Sequence, residues 1–539
     1  MRNSSLFKQV KKYETLVIQY GATIMRLEYD TYEEAKKKFR WSERWEVFDG
    51  NRQKFNITHE CVSRHVSDEV AIRIKFDDRH KEIYTFKEFD RLVSQFANML
   101  ERLDIQTGDR IVLLLPPSLE YYVSMFGALK RGAVVVPCSP LFGPDAISFR
   151  IENSKAKIIV INKNMVSLID KKFASKLQLI EAGQLRRMIK DEKETYEPNT
   201  SADTLAMMQF SSGTTGAPKP VMYRHGALTL SAPQVKFQAG LQLDDNFFCP
   251  SSPAWGHGIW FGTMSPLIFG RAIGAYSGKF DAEILLEALE EFEITNMSAI
   301  SSHYRLIMNS GKIENYRLKI KRMTYTGEVL AAGVIRFFQD KLGIILHCMY
   351  GTTEVGPICS DYAGFLDWKV KPGSLGKPMV GGQRVAVLDE RGKELLPCRE
   401  GQVAVWKGDG WTRVGDIVYQ DEDGYFWYKC RADDVIISQG YTIGPIEIEE
   451  ALKKHPAVIE VAVVGSPDKE RGEVVKALIK TNQDPSEQLK EEIQEFVRAN
   501  LSKHEYPREI EFLEELPKTP DGKIKRKELK ERERKNKAS

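Results

Sequence analysis

Between residues 110 and 162 the chain spells strand, helix, strand and strand again, an order that points to a largely parallel sheet. RIVLLL (110–115) is a short buried strand, and Ser118 can cap a helix whose apolar face is Leu119, Tyr122, Phe126 and Leu129. Lys130-Arg131-Gly132 ends that helix, and residues 133–136 supply the next strand, completing a βαβ unit. KIIVIN (157–162) adds another strand of the same buried type. The expected class is therefore α/β, with a large N-terminal domain of mixed, mainly parallel sheets. A length of 539 residues suggests about three or four domain-sized units.

The pattern changes near Ser374. Residues 383–388 and 402–406 read as strands around the polar stretch 389–394, and Asp423-Gly424 marks a hairpin before 425–428. A small antiparallel β layer is expected there. Beyond Arg431 come a helix at 445–454, strands at 458–464 and 474–480, a helix at 486–501 and a strand at 509–513. These elements form a separate small α+β domain of about 100 residues. The expected division is 1–432, with 1–54 as an extension and 374–432 as the β-rich subregion, followed by 433–539. Residues 523–537, rich in Lys and Arg interleaved with Glu, read as a solvated helix or tail.

Composition excludes several function classes. A net charge of +3 over this length provides no field for a polyanion, so no nucleic acid partner is expected. Seven dispersed cysteines without a CxxC pair argue against a disulfide framework or a structural metal and fit a reducing cytosol. No apolar run reaches the roughly 18 residues of a membrane span, and the N-terminus lacks the apolar core of a secretory signal. The expected location is cytoplasmic.

Five segments carry chemistry. MQFSSGTTGAPKP (208–220) gathers Ser211, Ser212, Gly213, Thr214, Thr215, Gly216 and Lys219, a set suited to surrounding a polyphosphate with backbone amides, hydroxyls and one cation. Lys219 is followed by Pro220, so this is no Walker A loop, and on composition alone a flexible linker is an equal reading. Tyr350-Gly351-Thr352-Thr353-Glu354 follows the apolar strand expected at 344–346, where Glu354 could hold Mg²⁺ or the threonines could cap a helix. Gly415-Asp416 ahead of a strand offers either a ribose acceptor or a turn residue. CRADD (430–434) lies at the junction between domains. In LPKTPDGKIKR (516–526), Asp521-Gly522 is a tight-turn signal that holds Lys523 out at a loop edge.

Taken in order, SSGTTGAPK, TGE (326–328), YGTTE, GD, RADD and PKTPDGK resemble the adenylate-forming superfamily of acyl-CoA synthetases, adenylation domains and luciferases. The resemblance runs from about Phe55 to Lys530, and residues 431–452 and 506–529 are similar to the medium-chain acyl-CoA synthetases. It implies a carboxylate attacking the α-phosphate of ATP to give an acyl-adenylate and pyrophosphate, with coenzyme A then displacing AMP. By the same resemblance residues 211–219 cradle the β and γ phosphates. Gly327, Glu328 and Tyr350 flank the adenine, and Gly351 and Thr352 belong to the same ATP-binding set. Thr353 meets the α-phosphate, Glu354 holds Mg²⁺, and Asp416 and Arg431 grip the ribose. Lys523 matches the catalytic lysine and Asp433 the hinge of a mobile C-terminal domain.

Coenzyme A contacts are implied at Gln439, Gly440, Tyr441, Arg471, Tyr506, Pro507 and Arg508. Here the chain departs from the pattern: the usual Ser-Gly-Tyr-Arg is Gln439-Gly440-Tyr441-Thr442. The missing cation removes a charge-assisted bond of about 1.5–3 kcal/mol, so phosphate or coenzyme A binding is expected to be weaker or supplied elsewhere. The acyl pocket falls at WGHGIW (255–260), with Trp255 and Gly256 as its candidates and a short, branched, aromatic or medium-chain carboxylate as its substrate. A homodimer is compatible with the resemblance. Two alternatives stay open: an enzyme that loads a carrier protein, against which the short stretch after Lys530 weighs, and a nucleotide-binding homologue with reduced turnover.

Overall fold

The computed structural model describes residues 27, 29–173, 176–211, 219–352, 355–438, 441–468, 472–500, 506–519 and 523–538. The chain forms two compact units, Met1–Pro372 with Met379–Gly381, and Gly373–Pro378 with Gly382–Ser539.

The βαβ signal at residue 110 seeds one sheet of the first unit. Ser118 caps the helix Leu119–Arg131 by accepting the Tyr121 N–H at 3.2 Å, and Gly132 ends it at φ +86°, a conformation that costs glycine nothing. The strand Val134–Cys138 then returns parallel to Arg110–Leu114. The full order is Gln178–Glu181, Ile158–Ile161, Arg110–Leu114, Val134–Cys138, Leu205–Ser211 and Lys219–Arg224, parallel except for the last pair. The helix buries Leu119, Tyr122, Phe126 and Leu129 in the main core, as its spacing requires.

The second sheet runs Gly356–Ser360, Leu346–Thr352, Arg322–Thr326, Asn296–Ile300, Phe247–Phe248, Ile273–Ser277, Val70–Phe76 and Lys81–Thr85 within this unit. Its interior strands are parallel and the two outermost pairs are antiparallel. Parallel strands end on the same edge, so Phe248, Ile300, Thr326 and Thr352 share one rim. Open α/β sheets bind ligands at that carboxyl rim.

The second unit contains a four-stranded antiparallel sheet, Val385–Leu388, Gly401–Trp406, Trp411–Gln420 and Phe426–Arg431 in that order. Its other sheet pairs Tyr441–Ile443, Ile436–Ser438, Gly472–Thr481 and Val458–Asp468, with Glu509–Phe512 parallel beside Gly472–Thr481. Alternation divides the faces of this sheet. Val461 and Val463 pack with Ile448, Leu452, Ile493 and Val497 of the helices Pro445–Leu452 and Glu487–Asn500, whereas Ala462 and Val464 pack with Leu516 and Leu529. The charged tail is thus not merely solvated. It forms the helix Arg526–Ala538, with Leu529 2% and Glu533 1% exposed, and Lys476 Nζ lies 2.7 Å from Glu533 and 2.8 Å from Glu511. Its charges find partners across the sheet, which composition alone does not reveal.

Candidate active site

Two antiparallel strand pairs of the first unit, one in each sheet, carry motif residues. In the first, the ladder between Leu205–Ser211 and Lys219–Arg224 ends with Ser211 opposite Lys219. Lys219 is exposed there. Ser212, Gly213, Thr214, Thr215 and Gly216 lie outside the described residues, and Ser211 is described by its backbone.

In the second, Leu346–Thr352 folds back on Gly356–Ser360. From sequence the strand is expected at 344–346 with the motif after it; instead it begins at Leu346 and runs through Tyr350, Gly351 and Thr352. Glycine at 351 serves close approach rather than a turn, because a Cβ would stand 2.4 Å from the Gly356 carbonyl oxygen and 2.8 Å from Pro357 Cα. Thr352 pairs with Gly356, and its hydroxyl is buried with no hydrogen-bond partner among the described residues. Thr353 and Glu354 lie outside the described residues.

The TGE turn adjoins this strand. Gly327 follows Arg322–Thr326 at φ +96°, and Thr326 Oγ1 donates to the Met349 carbonyl at 2.7 Å, one residue before Tyr350. Glu328 is held twice from the helix Ser301–Ser310: Arg305 Nη2 donates to its carboxylate at 2.6 Å, and Ser301 Oγ donates to its carbonyl at 2.5 Å. The structure therefore brings Gly327, Glu328 and Tyr350 together.

The acyl-pocket candidates sit beyond Phe248. Trp255 is half-buried, edge-on to Phe142 with centroids 5.7 Å apart, and a Cβ on Gly256 would meet nothing within 4 Å. Residues His257–Met264 form a π-helix, a rare conformation frequent at functional sites. Trp260 Nε1 donates to Gln209 at 3.2 Å, linking this segment to the first hairpin. His257 was not singled out from sequence, although a histidine between two glycines beside the pocket tryptophan is a usable signal. Its Nδ1 lies 3.0 Å from Ser251 Oγ and its Nε2 2.8 Å from Ser298 Oγ, which also accepts from Thr324 Oγ1 at 2.8 Å. Burial pushes His257 down to about 4, leaving it neutral near pH 7.

In the second unit Asp416 faces Arg431 across paired strands. Arg431 Nη1 donates to Asp416 Oδ1 at 3.1 Å, and Nε donates to Asp433 Oδ1 at 3.1 Å. Burial works against the guanidinium charge, but Asp416 and Asp433 outweigh it and hold Arg431 above its ordinary value. Gly415, at φ +86°, passes so close that a Cβ would be 3.1 Å from Arg431 Nη2. Asp416 lies inside Trp411–Gln420 rather than ahead of a strand. Lys530 Nζ donates to the Asp433 carbonyl at 2.5 Å and lies 3.5 Å from the Asp434 carboxylate.

Lys523 is exposed. Its N–H donates to Thr519 Oγ1 at 3.1 Å, its carbonyl accepts the Thr519 N–H at 2.7 Å, and Lys518 bridges Ile524, so its backbone is fixed to the preceding segment. Asp521 and Gly522 lie outside the described residues, as do Gln439, Gly440 and Arg471. The flanks of the latter three converge: Ser438 pairs with both Tyr441 and Gly472, and Asp468 pairs with Gly472. Tyr506, Pro507 and Arg508 arrive at the same end of Gly472–Thr481, where the Arg508 N–H donates to the Val475 carbonyl at 2.8 Å and Gln494 Nε2 donates to the Pro507 carbonyl at 3.0 Å. The Arg498 guanidinium lies 4.5 Å and that of Arg508 5.1 Å from the Tyr506 ring centroid. Arg498 escaped the sequence reading because its helix carries no motif.

Residues 59–413 match the AMP-binding enzyme family, and residues 447–523 match the AMP-binding enzyme C-terminal domain. The chain belongs to the AMP-binding enzyme family. The enzyme is 33% identical over 545 residues to acetyl-coenzyme A synthetase of Bacillus subtilis (strain 168), covering 93% of this chain and 94% of the relative. It is 35% identical over 502 residues to the mitochondrial acyl-coenzyme A synthetase ACSM3 of Rattus norvegicus, covering 85% and 86%. The crystal structure of Brucella canis acyl-CoA synthetase superposes with a TM-score of 0.73 at 33% identity, covering 94% of this chain and all of that one. No helix among the described residues is long and apolar enough to cross a membrane.

Proposed function

We propose that the enzyme is an ATP-dependent acyl-CoA synthetase that joins a carboxylic acid to coenzyme A with release of AMP and pyrophosphate. The observation that carries this reading is the convergence of Gly327, Glu328, Tyr350 and Thr352 on the carboxyl rim of one sheet, joined through Trp260 and Gln209 to the hairpin bearing Lys219. A carboxylate is a poor acyl donor until its oxygen becomes part of a good leaving group. Its attack on the α-phosphate forms the C–O–P bond of an acyl-adenylate and expels pyrophosphate. The coenzyme A thiol, giving up its proton, then forms the thioester and expels AMP.

In this reading residues 211–219 receive the β and γ phosphates, Asp416 accepts from the ribose hydroxyls, and Arg431 holds that carboxylate in place. Lys523 meets the charge that accumulates between the carboxylate and the α-phosphate. The C-terminal residues from Asp433 turn as a body between the two half-reactions, bringing Lys523 in and then taking it away. Asp433 is the hinge residue. Thr353 meets the α-phosphate and Glu354 suits Mg²⁺, while the Thr352 hydroxyl at the strand end has no hydrogen-bond partner among the described residues. Mg²⁺ is commonly held by one or two carboxylates, waters and phosphate oxygens. When bound, that ion neutralises the charge of the leaving pyrophosphate.

Gln439, Gly440, Tyr441, Arg471, Tyr506, Pro507 and Arg508 are assigned to coenzyme A. Arg498, over the ring of Tyr506, is a further cation beside the residues assigned to coenzyme A, a set that lacks the usual arginine at Thr442. Trp255 and Gly256 bound the acyl group. Seven unpaired cysteines fit a cytoplasmic setting. The test is pyrophosphate release across a panel of carboxylates, with and without coenzyme A. Release that depends on one carboxylate class, followed by thioester formation on free coenzyme A, supports the assignment. Transfer only to a pantetheine-bearing protein, or ATP binding without release for any acid, contradicts it.

A further inference from the structure

The strand bearing Tyr350, Gly351 and Thr352 is held from behind by a carboxyl group with no place among the motifs. Asp361 follows the return strand Gly356–Ser360 and is 1% exposed. Its N–H donates to the Cys348 carbonyl at 2.8 Å, and its Oδ2 accepts the Cys348 N–H at 2.9 Å, so both backbone groups of that residue are bound to Asp361. Its Oδ1 accepts the Trp368 indole N–H at 3.1 Å. Trp368 is itself packed edge-on against Tyr362 and Tyr32, with centroids 4.9 and 5.3 Å away. One side chain thus ties the motif strand, two residues before Tyr350, to an aromatic anchor.

The donor pattern selects a charge state. Two N–H groups point at two carboxyl oxygens, which a carboxylate accommodates at both sites, whereas a carboxylic acid must also place its own O–H. Burial opposes the charge and pushes Asp361 up to about 7 in spite of the bonds from Cys348 and Trp368. The titratable groups facing it are Tyr325 on Arg322–Thr326, Cys348 on the motif strand and Tyr362 beside it. Burial raises all three, so each is neutral where Asp361 titrates.

We propose that Asp361 is a positioning residue for adenylation, its carboxylate holding Leu346–Thr352 so that Tyr350, Gly351 and Thr352 meet the nucleotide, and its protonation loosening that hold. The proposal rests on the reading that this strand end binds ATP. The experiment measures ATP affinity by calorimetry between about pH 6 and about pH 8 for wild type, Asp361→Asn and Trp368→Phe. Wild type weakens about fivefold as the pH falls through 7, the equivalent of one hydrogen bond. Asp361→Asn binds about fivefold more weakly at the upper pH, because its NH₂ group replaces one of the two acceptor oxygens and faces a donor, and it lacks this step. Trp368→Phe keeps the carboxylate with one donor fewer, so its step moves to higher pH. Phosphate titration near pH 6 is common to all three proteins, and the difference between them is the readout.

An Asp361→Asn profile that keeps the wild-type step, or a Trp368→Phe step at the wild-type pH, overturns the proposal. Should Asp361→Asn fail to fold, Trp368→Phe decides alone. The expected profiles alongside absent pyrophosphate release support the positioning role while refuting the synthetase reading. A wild type that binds no ATP overturns both.

Discussion

Gly351→Ala tests whether close packing of the motif hairpin places the nucleotide-binding groups. The new Cβ would sit 2.4 Å from the Gly356 carbonyl oxygen, with Pro357 Cα at 2.8 Å and Gly356 C at 3.0 Å, all of them backbone atoms that cannot rotate away. The first contact is about 0.9 Å short of the ~3.3 Å at which carbon–oxygen contacts become comfortable, so the two strands must part by nearly that much. Overpacking of this size costs about 1–3 kcal/mol and, for a unit this large, lowers Tm by roughly 1–4 °C. The effect on rate is larger, because Thr352 pairs with Gly356 at the point where the strands separate. Displacing catalytic groups by ~1 Å lowers rate by about 100-fold. The assay is steady-state pyrophosphate release at saturating carboxylate, paired with a thermal melt. A variant within threefold of wild type and with unchanged Tm would refute the claim that this approach positions the motif.

Gly256→Ala makes the opposite case: its backbone is helical at φ −53° and a Cβ meets nothing within 4 Å, so stability should change by less than about 0.5 kcal/mol while preference shifts toward smaller carboxylates. An unaltered carboxylate profile would remove Gly256 from the pocket. Glu449→Gln breaks the two-oxygen contact with Arg526, at 2.6 and 2.5 Å, and weakens the acceptor of the Val463 N–H; with Arg526 partly exposed, urea unfolding should register a loss of about 2–3 kcal/mol, below the 3–5 of a fully buried pair. His65, His225, His257, His303 and His347 are all pushed down by burial, to about 3, 3, 4, 3 and 4, so each binds a proton in the unfolded chain but not in the folded one between those values and the ordinary 6.5. Their contribution to stability is fully present above pH 6.5 and falls as the pH drops toward 4, so the urea midpoint should decline from pH 7 to pH 5 and decline less in His257→Gln. Equal slopes in the two proteins would show that His257 is not held neutral.

The α/β class was readable because buried strands and a capped helix announce themselves locally, and Ser118, Leu119 and Gly132 act in the fold as their spacing suggests. The two hairpins were not. The pairing of Ser211 with Lys219, and of Thr352 with Gly356, depends on register between neighbouring strands, and glycine and threonine in those segments read equally well as loop. Asp361 and Arg498 were illegible for a related reason. Each gains its character from a partner chosen by tertiary packing, Cys348 and Trp368 for the one and Tyr506 for the other. The tail was underread because Ile524 and Leu529 are the two apolar side chains of a charged run, and the charges that accompany them pair across a sheet.

The central claim is a two-step reaction in which Lys523 serves only the first step. Single-turnover kinetics of Lys523→Ala measure this directly, with pyrophosphate release from ATP and acid compared with thioester formation from a preformed acyl-adenylate and coenzyme A. Adenylation should fall by about 100-fold or more while thioester formation stays within a few-fold of wild type. Equal losses in both steps would contradict the claim.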